Sequence, residues 1–589
     1  VSLPIATSQW ITALLVGRET SLELTISLMM AAVAILSGLL PELNLALPVA
    51  LSLLACLVMV YGMQPLTRWR YRHLPGPKPK LFFGSLGALA GRNQWDVFTE
   101  WGMQYGSIYR YLNGRSPVVV LSDPAMVQEL LLKQFKVFHN RVAPTLIKYI
   151  MPGSSPRVDA NMVWAKDKDW ASVRSAVQPF FHAPELKSYL SDMKRSASRL
   201  TEVLEAHAAT GEPADMRQYF GAFALEVVGT SAFGVDFKSQ TSAGEEPEEL
   251  VTAVARAFDE PGRMAKLVQS AVYCLPWVAP LLGFLLSFAR HFSKASNESY
   301  EKRFFTVTTS YLLFKNAEKR LTGEKDQPGA KAEMELPWGE GSFDASKHRY
   351  KDVVPADGSL PDLLMKGKHK LTGKPLTYAQ MVAQSHVLLL AGYDTSANCL
   401  SYCIYLLAKY PEEQEKVVAE LHRAQGAELT HEALAQDFPY TRACVDEALR
   451  MFPPAPGTMR LAAEDTYLGN GKHFIPKGSE VRVNIVHMHN DPQLFPDPEV
   501  FRPSRFLKDS PEAKARHPYA YLPFGGGPRM CIGYKFALQE IMLGLLTVLK
   551  TYSVALDPGR DQSVLQTKGL ITMSPKGGVW VKVSRRNEG

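Results

Sequence analysis

The sequence predicts a mainly α-helical protein with a small β region, preceded by an apolar N-terminal segment. Helical periodicity dominates residues 186–315, and a long apolar helix is predicted over 378–408. Strand-like alternation is clearest at 107–112 and 117–121, two short runs that Asn113-Gly114 joins as a hairpin. Of the 589 residues, 46% are apolar and 21% are charged, so the chain can bury a large core and is not globally disordered.

Charge and cysteine usage exclude some classes of protein. The formal charge of +7 comes from 65 basic and 58 acidic residues, which is a weak bias over this length. It gives no reason to expect nucleic acid as a partner, and it fits an anionic membrane face or an acidic protein better. The six cysteines show neither disulfide nor zinc spacing, so we expect a reducing compartment around the folded part.

Residues 1–63 are predicted to anchor the protein in a membrane. They contain two uncharged apolar runs, 24–40 and 43–63, and the second would reach about 30 Å as a helix, enough to cross a bilayer. Basic residues follow directly, which predicts that the bulk of the chain faces the cytosol. The first run either spans as well, forming a hairpin of two helices, or belongs to an organelle-targeting region.

The remaining chain is predicted to form a basic, proline-rich hinge over 64–80 and one folded body over 81–589. Within the body, residues 317–359 are rich in Lys, Glu, Asp, Gly and Pro, and we expect a flexible polar insertion there. Residues 273–292 are apolar but are interrupted by two prolines. They form either a core helix or a segment that lies against the membrane near a lipid-facing opening.

Trp170 and Arg174 lie four residues apart in a predicted helix and therefore share a face. An indole N–H and a guanidinium that point the same way can hold one carboxylate. Taken alone, such a pair is more often a surface cation–π contact.

The long apolar helix contains Ala391-Gly392-Tyr393-Asp394-Thr395-Ser396. A glycine inside a helix costs about 1 kcal/mol relative to alanine, and a buried acid costs more unless it is hydrogen-bonded. Both residues make sense if the helix passes over a cofactor and leaves room for a small ligand. Thr395 would then donate to that ligand while Asp394 relays protons. The alternative is a glycine packing notch beside a capped threonine.

Glu447 and Arg450 share a helical face three residues apart, a spacing that usually gives an exposed ion pair of little energetic value. Residues 453–460 contain three prolines and are predicted to be irregular. His487 and His489 have no third ligand nearby in the sequence, so we expect solvent-facing or capping roles rather than a metal site.

Residues 524–533 read Phe-Gly-Gly-Gly-Pro-Arg-Met-Cys-Ile-Gly and are the main functional candidate. The glycines and the proline predict a tight turn with bare backbone, directly ahead of an apolar helix over 534–550. The positive end of that helix and nearby N–H groups would keep Cys531 deprotonated as a metal-binding thiolate, and Arg529 suits a carboxylate. An isolated cysteine beside a glycine turn is more often buried and unreactive.

This run has the spacing F-x-x-G-x-R-x-C-x-G, with Ala537 on the following helix, and it resembles the haem-binding signature of the cytochrome P450 family. Three further motifs resemble that family: W-x-x-x-R at Trp170, A-G-x-D-T at Ala391 and E-x-x-R at Glu447. The resemblance extends from about residue 74 to the end of the chain. Within the family, the chain looks most like the clan of drug-oxidising members, thromboxane synthase and plant carlactone oxidases.

The resemblance implies the cytochrome P450 fold and a haem b whose iron is bound by Cys531. It implies that Thr395 and Asp394 are catalytic. It also implies that Glu447, Arg450 and Arg505 form a buried structural unit that fixes the cysteine loop. Residues expected to contact the cofactor are Trp170, Arg174, Gly392, Arg460, Phe524, Gly525, Gly527, Arg529, Gly533 and Ala537. Residues expected to line the substrate cavity are Ala391, Ala455, Gly457, Thr458, Leu570 and Ile571.

The implied activity is that of a monooxygenase that inserts one atom of O2 into a lipophilic substrate such as a sterol, terpenoid, carotenoid-derived lipid or fatty acid. Electrons would come from NADPH through NADPH-cytochrome P450 reductase, and cytochrome b5 is a second candidate partner. The expected location is the endoplasmic reticulum membrane, in contact with its lipid, or alternatively the plastid envelope. Two other activities stay open: a haem-thiolate isomerase or dehydratase that acts on a peroxide without O2 or reductase, and a non-enzymatic haem sensor. Such isomerases often lose the acid–alcohol pair, which is intact here, so the monooxygenase is favoured.

Overall fold

The structure is a computed structural model. It describes residues 69–80, 83–142, 160–241, 249–258, 269–270, 272–274, 309–310, 312–323, 349–369, 372–424, 428–569 and 571–586. The chain divides into two units, residues 1–73 and 74–589. The apolar runs 24–40 and 43–63 lie outside the described residues, as does 273–292 apart from its first two residues. In the part of the chain that is described, no helix is both long and apolar enough to span a membrane.

Helices make up most of the regular structure of the second unit. They are α1 (Leu86–Leu89), α2 (Gln94–Tyr105), α3 (Pro124–Gln128), α4 (Asp167–Val177), α5 (Ala183–Thr210), α6 (Met216–Val228), α7 (Glu249–Ala257), α8 (Leu360–Lys366), α9 (Tyr378–Lys409), α10 (Pro411–Arg423), α11 (His431–Gln436), α12 (Pro439–Met451), α13 (Ile485–His489), α14 (Pro511–Ala515) and α15 (Tyr534–Thr551). Short 3-10 turns lie at Gln178–Phe181, Pro503–Phe506 and Gly527–Arg529, and π-helical turns lie at Glu129–Lys133 and Gly229–Phe233.

The strands are short and form small sheets. They are β1 (Ile108–Asn113), β2 (Ser116–Leu121), β3 (Ala214–Asp215), β4 (Gly457–Leu461), β5 (Thr466–Leu468), β6 (His473–Ile475), β7 (Glu480–Asn484), β8 (Tyr552–Leu556), β9 (Thr567–Lys568), β10 (Ser574–Pro575) and β11 (Trp580–Arg585). The largest described sheet has the order β1-β2-β7-β4, in which only β2 and β7 are parallel. The others are β3-β11-β8, β5-β6 and β9-β10, all antiparallel.

The predicted hairpin is confirmed by β1 and β2. Asn113 pairs with Ser116, so Gly114 and Arg115 form a two-residue turn. Gly114 has a φ of +62°, a conformation that glycine adopts without the strain a side chain would add. A second short antiparallel pair, β9 with β10, lies near the end of the chain.

The two predicted apolar helices are confirmed as α9 and α15. A capping box starts α9: Thr377 Oγ1 accepts the N–H of Gln380 at 3.3 Å, and Gln380 Oε1 accepts the N–H of Thr377 at 2.9 Å. Helix α9 packs against α6, α12 and α15, and residues of all four helices share the main apolar core. The motif at 391–396 therefore lies on a helix that crosses the interior of the body.

Two predicted boundaries are wrong. The polar insertion was placed from residue 317, but residues 312–322 are helical and Ala317 is buried. At the other end of the insertion, Tyr350 is buried with its ring 5.4 Å from that of Phe237. Apolar side chains at both ends of the predicted insertion are therefore buried in the folded body, although the composition there is already polar. Residues 324–348 lie outside the described ones.

The second boundary is that of the proline-rich segment 453–460, which was predicted to be irregular throughout. Its last four residues belong to β4, and Gly457 pairs with Asn484 of β7. All three prolines precede the strand, so their missing N–H groups do not interrupt the sheet. Residues 457–460 form a strand because they pair with β7, and composition does not reveal a pairing with a segment so far along the chain.

Candidate active site

The cysteine loop is fixed by its own backbone. The N–H of Cys531 donates to the carbonyl of Phe524 at 2.9 Å, and the N–H of Met530 donates to that of Gly527 at 3.0 Å. Gly527 has a φ of +69°, and a Cβ there would lie 2.0 Å from the carbonyl oxygen of Leu131. A glycine is therefore required on both conformational and steric grounds. The loop thus packs directly against the π-helical turn at Glu129–Lys133, and this contact does not require a cofactor.

Cys531 differs from the other described cysteines. Cys274, Cys399, Cys403 and Cys444 are buried, whereas the Cys531 side chain is exposed. Protein nevertheless surrounds it closely enough that desolvation raises the pKa of its thiol, against the N–H of Gly533 and two nearby arginines, which lower it. The Cys531 side chain is therefore accessible to a ligand although protein surrounds much of it.

The predicted thiolate needs correction on this point. We expected the helix terminus and neighbouring donors to keep Cys531 deprotonated, but the pKa of its thiol lies above the ordinary value because desolvation outweighs them. A metal cation that binds the sulfur would reverse that balance, because coordination stabilises the thiolate directly.

Four arginines surround the cysteine loop without forming an ion pair to any described carboxylate. They are Arg141, Arg174, Arg460 and Arg529. Arg174 Nη1 donates to the carbonyl of Met530 at 3.1 Å, and Arg141 Nη2 donates to that of Arg529 at 3.1 Å. Arg529 Nη2 donates to the carbonyl of Ala165 at 2.8 Å. These bonds go to backbone carbonyls, so the positive charges themselves remain uncompensated.

The cost of this arrangement is visible in the pKa values. Desolvation, and then the neighbouring guanidinium groups, lower the pKa of Arg529 to about 9 and hold that of Arg460 well below its usual range. Desolvation also lowers the pKa of Arg141 to about 10. Buried Nε of Arg460 and buried Nε and Nη1 of Arg529 have no hydrogen-bond partner. Native proteins rarely leave buried donors unpaired, so this cluster is built to receive an anion.

Trp170 stacks with two of these arginines, and its predicted contact with the cofactor stays a prediction. Its ring lies 4.4 Å from the Arg529 guanidinium and 5.9 Å from that of Arg174, so it stacks with both cations. The sequence predicted the pair of Trp170 and Arg174 but not this stacking with the cysteine loop. Arg141 was missed altogether, because a lone arginine in a loop carries no motif.

These residues fit a flat cofactor that carries carboxylates and binds sulfur, as haem does. The orphaned guanidinium donors would supply partners for the carboxylates, and the Cys531 sulfur would supply a ligand for the metal. Gly525 has a φ of +71° and no atom within 4 Å of the position of a Cβ, so the loop presents open space there. Gly533 abuts the ring of Phe181, the ring of Phe524 lies 6.2 Å from that of Tyr534, and Ala537 is half-buried against the main core.

The structure joins Glu447 with Arg450 and Arg505 in the interior. Arg450 Nε and Nη2 donate to the two carboxylate oxygens at 2.7 and 2.9 Å, and Arg505 Nε donates to Oε1 at 3.1 Å. All three side chains are enclosed by protein. The arginines also bind the carbonyls of Pro496 and Pro498, so the unit ties α12 to the segment ahead of the cysteine loop.

His489 extends this unit to the loop itself, and its predicted solvent-facing role is wrong. Its side chain is fully buried, and burial lowers the pKa of the imidazole to about 3, which keeps it neutral. The carbonyl of His489 accepts Arg450 Nη1 at 2.9 Å, and its Nε2 accepts the N–H of Leu522 at 2.9 Å. Leu522 is two residues before Phe524, so a continuous chain of hydrogen bonds runs from Glu447 to the cysteine loop.

On α9, Asp394 is held on the side of α6. Arg217 Nη2 donates to its Oδ1 at 2.5 Å, and Asn398 Nδ2 donates to its Oδ2 at 3.0 Å. Asp394 is only 1% exposed. The carboxylate predicted to relay protons is thus enclosed and paired, and Arg217 is a partner that the sequence did not indicate.

Thr395 and Gly392 match the alternative reading of this motif in two respects. Thr395 Oγ1 donates to the carbonyl of Ala391 at 2.6 Å, within the helix, although its side chain is only half-buried. A Cβ on Gly392 would lie 2.4 Å from Cγ2 of Val228, so this glycine is needed for the packing of α6 on α9. Gly392 therefore serves as a packing notch, and its contact with a cofactor stays a prediction.

The predicted cavity residues divide into three groups. Ala391 is exposed on an otherwise buried stretch of α9, and Ile571 is exposed as well. Ala455 is half-buried, whereas Gly457 packs against the ring of Trp95 and Thr458 Oγ1 accepts from Arg460. Gly457 thus packs against α2, and Thr458 has its partner within β4. Leu570 lies outside the described residues.

Comparisons with known proteins agree with this geometry. The family model for Cytochrome P450 matches residues 74–336 and 340–581. Thromboxane-A synthase of Sus scrofa is 30% identical over 567 residues, which cover 94% of this chain and 100% of that protein. Cytochrome P450 3A1 of Rattus norvegicus is 29% identical over 544 residues, 90% of this chain and 95% of the relative. Cytochrome P450 3A5 of Homo sapiens is 28% identical over 552 residues, 92% and 98% of the two chains.

Proposed function

The chain belongs to the cytochrome P450 family, as its motifs predicted, and we propose that it is a haem-thiolate monooxygenase acting on a lipophilic substrate. The observation that carries the proposal is Cys531, an exposed but desolvated thiol beside four arginines that have no carboxylate partner among the described residues. Relatives named as cytochromes P450 over nearly their whole length support it.

In this proposal Cys531 binds the haem iron, and Arg141, Arg174, Arg460 and Arg529 bind the haem carboxylates. When bound, the haem supplies a thiolate-ligated iron, whose electron-rich ligand favours cleavage of the O–O bond. The anion-binding cluster would orient the ring. The hydrogen-bonded unit around Glu447 would hold the loop of Cys531 in position for the cofactor.

Thr395 and Asp394 are the proposed catalytic residues of this chain. Asp394 is held in place by its ion pair with Arg217, and Thr395 is the hydroxyl that can hold or pass a proton on the exposed side of α9. To donate elsewhere, the Thr395 hydroxyl must turn away from the carbonyl of Ala391, which costs one hydrogen bond of about 1 kcal/mol.

Electron supply and location follow from the same proposal. Electrons come from NADPH through NADPH-cytochrome P450 reductase, with cytochrome b5 as a second donor. Residues 1–63 anchor the protein in the endoplasmic reticulum membrane, and the plastid envelope is the alternative. The apolar runs and the basic residues that follow them support an anchored protein whose catalytic domain faces the cytosol.

The test is Cys531→Ser in the full chain. We expect the reduced protein under carbon monoxide to lose the long-wavelength Soret band that thiolate ligation produces. Cys444→Ala is the matched control, because Cys444 is buried in α12 and burial raises the pKa of its thiol well above the ordinary value. A band that survived in Cys531→Ser, or that was absent from the unaltered protein, would contradict the proposal.

A second candidate is a haem-thiolate isomerase that rearranges a lipid peroxide without O2 or reductase. The relative named thromboxane-A synthase keeps this candidate open, since that relative is as similar to this chain as the relatives named cytochrome P450 are. The intact Asp394-Thr395 pair favours the monooxygenase. Turnover that requires NADPH and reductase supports the first candidate, whereas turnover of a peroxide in their absence supports the second.

The substrate class is to be identified by titration of the oxidised protein with sterols, terpenoids, carotenoid-derived lipids and fatty acids. A ligand that displaces iron-bound water shifts the Soret band to shorter wavelength. Pocket contacts discriminate single methylene groups by only about 1–3 kcal/mol, so a graded response within one class is expected.

A further inference from the structure

Glu540 is a buried acid that the proposed reaction does not use. It lies in α15, nine residues after Cys531, and its side chain is fully enclosed. Its Oε2 accepts a hydrogen bond from Ser396 Oγ at 2.6 Å, and its Oε1 has no hydrogen-bond partner. In the part of the chain that the structure describes, no cation forms an ion pair with it, so it differs from the paired acids Asp394 and Glu447.

Ser396 follows Thr395 directly in α9. Its hydrogen bond to Glu540 therefore brings α15 into contact with α9 next to Thr395. Successive residues of an α-helix are separated by about 100° around its axis. Arg217 of α6 holds Asp394, and Glu540 of α15 holds Ser396, so α9 is fixed from two neighbouring helices at this level. Thr395 lies between the two fixed residues in the chain and is the one of the three that remains half-buried.

We propose that Glu540, as a neutral carboxylic acid, is a positioning residue that holds Ser396 and thereby sets the rotation of α9 that presents Thr395. This inference deepens the proposed function and rests on it. A neutral acid suits the site because it can both accept from and donate to a hydroxyl, and because an unpaired carboxylate in an apolar interior is costly. Burial raises the pKa of Glu540 to about 8, against the hydrogen bond from Ser396, which lowers it.

The matched variants are Glu540→Gln, Glu540→Leu and Ser396→Ala. Glutamine keeps a neutral, hydrogen-bonding side chain of the same shape, so we expect it to replace Glu540. Glu540→Leu and Ser396→Ala each remove one partner of the hydrogen bond between Ser396 and Glu540, so the two variants should behave alike. Ser401→Ala is the control, because Ser401 is a buried serine of α9 that donates only to the helix carbonyl of Ala397, at 2.6 Å.

Two measurements on the haem-loaded full chain need no substrate. The infrared spectrum should contain the carbonyl stretch of a protonated carboxylic acid, absent from Glu540→Gln and shifted in Ser396→Ala. Hydrogen exchange of the amides of residues 391–397 should be several-fold faster in Glu540→Leu and Ser396→Ala than in the unaltered protein. It should be unchanged in Glu540→Gln and in Ser401→Ala.

The third measurement uses a ligand from the Soret titration together with reductase and NADPH. Glu540→Leu and Ser396→Ala should release several-fold more hydrogen peroxide per NADPH, whereas Glu540→Gln should match the unaltered protein. The inference is overturned if no protonated-acid band depends on residue 540, if Glu540→Gln fails like Glu540→Leu, or if the exchange of 391–397 does not respond. Absence of NADPH-dependent turnover in the unaltered protein would instead count against the proposed function, while the infrared and exchange results still decide the contact.

Discussion

Arg217 Nη2 lies 2.5 Å from Oδ1 of Asp394, and this ion pair joins α6 to α9 inside the protein. The Arg217 side chain is 15% exposed and that of Asp394 is 1% exposed. The guanidinium also lies 5.3 Å from the ring of Tyr393. Because solvent hardly screens this pair, removal of either partner leaves a buried charge without compensation.

Arg217→Met should therefore lower the free energy of unfolding by about 3–5 kcal/mol, the range for one broken partner of a buried pair. The double variant Arg217→Met with Asp394→Asn should recover part of that loss, because no unpaired charge remains. Urea unfolding of Arg217→Met, Asp394→Asn and the double variant measures the coupling between the two side chains. Equal stability of Arg217→Met and the double variant would show that the pair does not hold the helix.

Glu447→Gln should prevent stable assembly of the cysteine loop. The amide has only one acceptor oxygen, so the hydrogen bond from Arg450 Nε to Oε2 is lost, and two buried guanidinium groups lose their counter-charge. We expect a loss of several kcal/mol and a low ratio of haem to purified protein. Glu432→Gln is the control, since Glu432 forms an exposed pair with Lys187 that solvent screens, so neither stability nor haem content should change.

Arg141→Met should affect the haem-free and the haem-bound protein in opposite directions. Without haem, the change removes one of four mutually repelling, desolvated cations, so stability should be unchanged or higher. With haem, it removes a charge-assisted contact of about 1.5–3 kcal/mol, so transfer of haem to an acceptor globin should be roughly tenfold faster or more.

The control for this prediction is Arg195→Met, because Arg195 is an exposed arginine paired with Asp192 in α5. It should change neither the melting temperature of the haem-free protein nor the rate of haem transfer. A destabilised haem-free Arg141→Met protein would mean that Arg141 serves the fold rather than the cofactor.

Glu540 should make stability depend on pH. The pKa of its carboxyl is about 8 in the folded protein and near the ordinary 4.5 in the unfolded chain. Between these values the folded protein keeps a proton that the unfolded chain has released, so the free energy of unfolding falls as the pH rises from about 4.5 to about 8. Glu540→Gln should gain stability relative to the unaltered protein as the pH rises through this window, which urea unfolding near both ends can measure. A constant difference between the two proteins would contradict the assignment.

Gly527→Ala should be more harmful than Gly525→Ala, although both glycines have a positive φ. At Gly527 the added Cβ would lie 2.0 Å from the carbonyl of Leu131, whereas at Gly525 nothing lies within 4 Å. Gly525→Ala should cost only the strain of its backbone conformation, about 1–3 kcal/mol. Gly527→Ala must in addition shift the loop of Cys531, which the carbon monoxide spectrum would register. Similar stability and spectra for the two variants would refute the steric argument.

The local elements were predictable because each depends on neighbours in the sequence. Periodicity over 378–408 and 534–550 predicted α9 and α15 almost to the residue, and Asn113-Gly114 predicted the hairpin. The cysteine loop was predictable because its glycines and its cysteine stand at fixed spacing. Composition did not predict structure that depends on distant segments. Residues from Gly457 onward form a strand because they pair with β7, and the helix continues past Ala317 because that side chain packs in the core.

The sequence by itself determined the elements, the family and the sulfur at residue 531, since these depend on residue types at short range. Only the tertiary structure decided which charges are compensated. It paired Asp394 with Arg217, assigned Gly392 to a packing notch against Val228, gathered Arg141 with three other unpaired arginines, and set the unpaired Glu540 against Ser396. Burial and pairing depend on side chains that lie far apart in the chain, and a pattern along one segment does not contain that information.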